Sequence, residues 1–148
     1  MTKLLGISGS LRRGSYNSAL LRAATRLMPA ETTLEVASIR GIPLYDYDVE
    51  AQGIPATVAQ LKDAIVAADG VLLVTPEYNN GIPGVFKNAI DWLSRPSSDI
   101  KRVFGGRLLV PRAASVFDES GALKDPGVGE QLRQFLAGYV NFVRRPGP

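Results

Sequence analysis

The sequence contains neither cysteine nor histidine. The first absence excludes disulfides, thiolate nucleophiles and sulfur-ligated metal centres. The second removes the usual general base near neutral pH, and with it His-based triads and imidazole metal sites. No side chain is therefore nominated as a catalytic acid, base or metal ligand, and any demanding chemistry falls to a bound cofactor. Long apolar runs are also missing: none approaches the ~20 residues that span a bilayer. Met1-Thr2-Lys3 leads straight into a short strand pattern rather than a signal-peptide core. Those two features predict a cytoplasmic protein without membrane contact. The charge excess is small, with 17 Lys and Arg against 14 Asp and Glu. The basic residues are scattered and no recognition motif accompanies them, so nucleic acid is not an expected partner. With 148 residues, 45% of them hydrophobic, the chain suits one domain, residues 1–148, with a real core.

What is present centres on residues 4 to 17, where the apolar run Leu4-Leu5-Gly6-Ile7 stops at Ser8-Gly9-Ser10 and a helical pattern follows. This reads as strand, loop, helix. In a parallel α/β sheet such a loop lies at the carboxyl edge, where the N–H groups opening the helix point at whatever binds there. Gly9 and Gly14 allow close backbone approach, and Ser10, Ser15 and Asn17 offer short hydrogen-bonding side chains. Arg12 and Arg13 can bond phosphate oxygens bidentately. The stretch predicts a phosphate cradle. The spacing Gly9-x4-Gly14 is that of a Walker A loop, but Ser15 stands where that loop needs Lys, which disfavours ATP and GTP. Gly6-x-x-Gly9-x4-Gly14 also has the wrong spacing for a dinucleotide fingerprint, leaving a terminal monophosphate.

Further along, Lys3–Ile7, Leu34–Ile39 and Gly70–Thr75 read as strands, the last an unbroken apolar run expected to be buried on both faces. Ser18 to Met28, the segment from Pro55 to Ala68 and the stretch Val85 to Leu93 carry amphipathic helical spacing, as does Val128 to Val143. Gly41 to Gly53 reads as a long loop, with Tyr45 and Tyr47 at a surface or interface. The alternation predicts an open parallel sheet with helices on both faces and ligands beyond the strand ends. A second loop, Pro76-Glu77-Tyr78-Asn79-Asn80-Gly81-Ile82-Pro83-Gly84, falls at the same edge as the first. Its prolines and glycines fix an unusual path in which amides can meet a polar ring edge while Tyr78 offers an aromatic plane.

Gly9-Ser10-Leu11-Arg12-x-x-Ser15-x-Asn17, together with Pro76-Glu77-Tyr78-Asn79 and Lys87-Asn88-Ala89-Ile90-Asp91-Trp92-Leu93-Ser94-Arg95, resembles the NADPH-dependent FMN reductase family, which includes bacterial quinone and chromate reductases. The resemblance implies a flavodoxin-like fold, with Ser10, Arg12, Ser15 and Asn17 on the FMN phosphate and Pro76, Glu77, Tyr78 and Asn79 along the isoalloxazine ring. It implies electron transfer from NADPH or NADH through FMN to a quinone or similar acceptor, with ping-pong turnover. It also implies a homodimer or homotetramer whose neighbouring subunits help build each site. The alternative is a flavin-binding electron carrier or a non-catalytic remnant, although single-electron flavodoxins tend to be acidic and this chain is net positive.

The chain departs from the family pattern at Phe104-Gly105-Gly106, where a buried strand, a glycine-rich loop and a helix are normally found before the final segment. It runs instead into Arg107-Leu108-Leu109-Val110. Four strands are thus expected, the fourth being Arg107–Val110 with its continuation toward Val116. That segment either lies beside Gly70–Thr75 or is supplied by a neighbouring subunit, with Pro111 keeping it short or at an edge.

Overall fold

The computed structural model describes residues 1–95 and 108–145. The sheet has β1 (Thr2–Ser8) at its centre, β2 (Thr32–Ala37) on one side and β3 (Gly70–Val74) on the other, all parallel. Leu4 lies level with Leu34 on one neighbour and with Gly70 on the other. The helices are α1 (Tyr16–Arg26), α2 (Tyr47–Gln52), α3 (Ala56–Ala67), α4 (Gly84–Leu93), α5 (Ala113–Val116) and α6 (Pro126–Arg144).

Successive apolar residues in β1 are all buried because each face of the sheet has its own helical cover. Leu4 packs with Leu21 of α1 and Leu132 and Leu136 of α6. Leu5 and Ile7 point the other way, to Leu61 of α3 and Phe86 and Ala89 of α4. This is the three-layer, flavodoxin-like arrangement, with the chain crossing from one edge of β1 to the other between β2 and β3. At the starts of α1, α2 and α6 a side chain accepts orphan N–H groups. The Ser15 hydroxyl takes Asn17 N and Ser18 N at α1, and Asp125 takes Val128 N at α6, with a proline inside the first turn. The Tyr139 hydroxyl of α6 donates to Val71 O at 2.8 Å, tying the helix to β3. Among the described residues, no helix is long and apolar enough to cross a membrane.

Three features differ from the sequence reading. The segment Gly41 to Gly53 is not all loop: Asp46 accepts from Asp48 N and starts α2. That helix buries no residue, so it has no apolar stripe to betray it. Tyr45 is half-buried, its ring edge-on to Trp92 with centroids 5.1 Å apart and its hydroxyl on Glu50 at 2.7 Å, whereas Tyr47 is exposed.

The fourth strand is absent among the described residues. Leu108, Leu109 and Val110 are irregular, Pro111 lacks an N–H for a ladder, Arg112 adopts φ 50°, and Ala113–Val116 turns helical. Phe104 to Arg107 lie outside the described residues. Consequently β3 is not covered on both faces: Leu72 is buried, but Leu73 is 49% exposed.

Candidate functional site

The loops after β1 and β3 leave adjacent strands, and Gly9 N donates to Val74 O at 2.7 Å to hold them together. A Cβ on Gly9 would stand 2.7 Å from the Phe86 ring and 2.9 Å from Thr75 Oγ1, so no other residue fits without displacement. Beyond Gly9 a chain of serines shapes the turn. Ser8 Oγ accepts from Ser10 N at 3.3 Å and from Ser18 Oγ at 3.2 Å, and Ser10 Oγ accepts from Arg12 N at 3.4 Å. Ser15, 3% exposed, accepts from Asn17 N and Ser18 N at 3.2 and 3.4 Å. The same turn is braced from outside by Arg40, whose Nη2 donates to Leu11 O at 2.6 Å.

Arg12 is the cationic element of this turn. Its Nη2 donates to Gly14 O at 2.6 Å, and its guanidinium carbon lies 5.3 Å from the centroid of the Tyr16 ring. A guanidinium has five N–H donors, so this backbone bond leaves most of them for a ligand.

In the second loop, Tyr78 N donates to Gly81 O at 2.8 Å and Gly81 N to Tyr78 O at 3.0 Å. Asn79 and Asn80 sit between them at φ 52° and 61°, a two-residue turn of type I′. Left-handed backbone is least costly for asparagine among residues with a side chain, which accounts for the Asn-Asn pair. The turn presents a Tyr78 ring that is 61% exposed.

The two loops border one cavity of about 680 Å³, within the ordinary range for small-molecule sites. Ser10, Arg12, Ser15 and Asn17 line one side, and Pro76, Glu77 and Tyr78 line another. Of the residues singled out in the sequence, Asn79 and Arg13 do not reach the wall; Asn80 does. The structure adds walls that sequence reasoning missed. Tyr16 and Phe117 stack with centroids 5.9 Å apart, and Leu108, Leu109 and Val110 face Leu72, Leu73 and Val74 across an apolar lobe. The aromatic identity of Tyr16 inside the first motif was the one available signal for the stack; Phe117 had none, since its partner lies a hundred residues away in sequence.

Sequence and structure comparisons show what the chain is similar to. Over 94 residues the chain is 57% identical to an NAD(P)H-dependent FMN reductase of Pseudomonas aeruginosa, covering 64% of this chain and 51% of that protein. Over 95 residues it is 50% identical to a quinone reductase of Escherichia coli, covering 63% and 50%. The chain thus spans about half the length of these curated relatives. The flavoenzyme NAD(P)H:(acceptor) oxidoreductase FerB from Paracoccus denitrificans superposes with a TM-score of 0.76 at 26% identity, covering 97% of both chains. Residues 2–147 match the family described as NADPH-dependent FMN reductase. With a family match over nearly its whole length, the chain belongs to the NADPH-dependent FMN reductase family.

Proposed function

We propose that the cavity between the two loops holds FMN and that the protein is an NAD(P)H-dependent oxidoreductase delivering electrons to quinones or similar acceptors. The observation that carries this reading is the meeting, in one cavity, of a capped helix N-terminus bearing Arg12 with an exposed Tyr78 ring on a rigid turn. The residues present fit the group. The N-terminus of α1, Arg12, Ser10 and Asn17 provide donors for a phosphate dianion. Ser15 accepts two backbone N–H groups, so its own hydroxyl hydrogen remains to donate to a phosphate oxygen. Gly9 lets the first loop pack closely on Phe86 and Thr75, and Pro76, Glu77 and Tyr78 form a wall for a ring.

When bound, FMN supplies the two-electron chemistry linking nicotinamide to acceptor. The protein's part is to bind, orient and shield. Arg12 neutralises the phosphate at the far end of the cofactor, Tyr78 covers ring surface, and Leu72 and Leu109 add apolar wall to the cavity. One open face serving donor and acceptor in turn gives ping-pong turnover. Association into a homodimer or homotetramer belongs to the same reading, supported by the exposed apolar side chains Leu73 and Leu109 beside the cavity, 49% and 66% exposed.

The direct test is to saturate the purified protein with FMN, record its visible spectrum, and add NADPH anaerobically before any quinone. Bleaching, followed by recovery on quinone addition, supports the reductase. FMN binding without bleaching supports the second reading, an electron carrier or remnant, which the half-length match and the open edge of β3 favour. A protein that takes up no FMN overturns both.

A further inference from the structure

A second concavity, of about 440 Å³, lies on the flank of α1 away from the first: Leu20 and Ala24 face the first cavity, whereas Arg22 and Arg26 line the second. Its other charged walls are Lys124, Asp125 and Arg133, which places four cations against one carboxylate. That carboxylate is already engaged, since Asp125 Oδ1 accepts from Val128 N at 3.0 Å to cap α6. Arg133 is balanced by Glu130 one turn earlier on the same helix. Among the described residues, Arg22 and Arg26 have no such neighbour. The helix positions three and four residues from either hold Ser18, Ala19, Ala23, Thr25, Pro29 and Ala30, and the two arginines are themselves spaced i, i+4, where like charges repel. The helix dipole explains a cation in the last turn, Arg26, but not Arg22 a turn earlier.

The loop opposite is shaped around Arg22. Gly121 has φ 78°, and a Cβ there would come within 2.9 Å of Arg22 Nη2. The loop is held by Asp118 N to Ala122 O and Gly121 N to Asp118 O, both at 2.9 Å, and by Asp118 Oδ1, which accepts from Ala122 N and the Ser120 hydroxyl. The guanidinium therefore lies against this backbone while staying exposed to solvent.

We propose that this concavity is a second anion site, separate from the α1 cradle, which binds the oligophosphate group of a small molecule. Unpaired Arg22 and Arg26 bond its oxygens bidentately, Lys124 supplies a third charge, and a concave rather than flat shape selects a compact polyanion over a nucleic-acid strand. Pyrophosphate and a nucleoside diphosphate share this chemistry.

The test is calorimetric titration of inorganic pyrophosphate, and separately of ADP, into the full chain at low ionic strength, with FMN at saturation to fill the cradle. Arg12→Ala protein is titrated in parallel, which keeps the test independent of the FMN assignment. Saturable binding of pyrophosphate near one equivalent is expected, weakened roughly 10- to 100-fold by Arg22→Gln with Arg26→Gln. FMN affinity and melting temperature should stay unchanged in that variant. Lys124→Gln alone should weaken pyrophosphate binding by a smaller factor. Tighter binding of ADP than of pyrophosphate identifies a nucleotide, and equal binding identifies the phosphates alone; either supports the site. No saturable heat, indifference to the paired arginine substitutions, or loss of binding in Arg12→Ala protein overturns it.

Discussion

The Tyr16 ring stacks on Phe117 at a centroid distance of 5.9 Å and an interplanar angle of 16°, and the same Tyr16 ring receives the Arg12 guanidinium at 5.3 Å. The Arg12 charge is thus steadied by a residue from the C-terminal third of the chain. Phe117 is itself 3% exposed and packs with Ala19 of α1 and with Val116. Tyr16→Ala removes an exposed cation–π contact, ~0.5–1 kcal/mol, and an aromatic pair, ~0.5–1.5 kcal/mol. FMN affinity measured by fluorescence titration should fall several-fold, while Tyr16→Phe should retain most of it. Equal losses in the two variants would assign the effect to the hydroxyl instead.

Arg12→Ala should separate phosphate from ring recognition. A charge-assisted bond contributes ~1.5–3 kcal/mol, so FMN affinity should drop by about one to two orders of magnitude, while riboflavin, which lacks the phosphate, binds the variant and the parent alike. Tyr78→Ala should show the opposite pattern, perturbing the visible spectrum of the bound flavin more than its phosphate-dependent affinity. Parallel losses for both ligands in Arg12→Ala protein would remove Arg12 from the cradle.

Gly9→Ala tests the close packing of the first loop on α4. Its Cβ would lie 2.7 Å from the Phe86 ring, and Phe86 is 1% exposed, with no free space to withdraw into. Overpacking of this kind costs about 1–3 kcal/mol, to be read as a lowered midpoint in urea unfolding with the slope unchanged. Unaltered stability would mean that the two loops can separate freely.

Tyr139 predicts an alkaline limit. Burial pushes its phenol above the ordinary value of 10.0. The folded state then holds the proton more tightly than the unfolded chain. This stabilisation is complete below pH 10 and is lost as pH rises through the folded-state pKa. Tyr139→Phe should cost about 0.5–1.5 kcal/mol at neutral pH through the lost bond and should flatten the decline in stability above the ordinary tyrosine pKa. A variant whose alkaline unfolding curve parallels that of the parent would assign the decline to other groups.

Among the described residues β3 has no strand partner on its outer side, and its exposed Leu73 predicts self-association and a loosely held cofactor. Light scattering should show an oligomer, and Leu73→Glu should shift it toward monomer, because a charge on that half-buried apolar position cannot be desolvated cheaply. FMN should bind more weakly than in relatives of twice the length and leave during gel filtration. A monomer that retains stoichiometric flavin would contradict both expectations.

Both polar loops were legible in the sequence, because their signals are local. Ser15 before a helical pattern, Gly9 at a strand end, and Asn79-Asn80-Gly81 after an apolar run act through their immediate neighbours. The parallel sheet with helices on both faces was equally legible from the alternation of strand and helix patterns, although burial on both faces was expected of Gly70–Thr75 and is found instead in β1. Tertiary structure alone decided the rest. The bond from Arg40 to Leu11 O, the packing of Tyr45 on Trp92, the Tyr16–Phe117 stack and the shared concavity of Arg22, Arg26 and Lys124 join residues far apart in the chain. Such partners leave no period or spacing to read. The same holds for Leu108 to Val110, whose composition suits a strand. Whether an apolar segment joins a sheet depends on a free edge within reach and a backbone able to follow it, and here Pro111 and the left-handed Arg112 turn the chain away into α5.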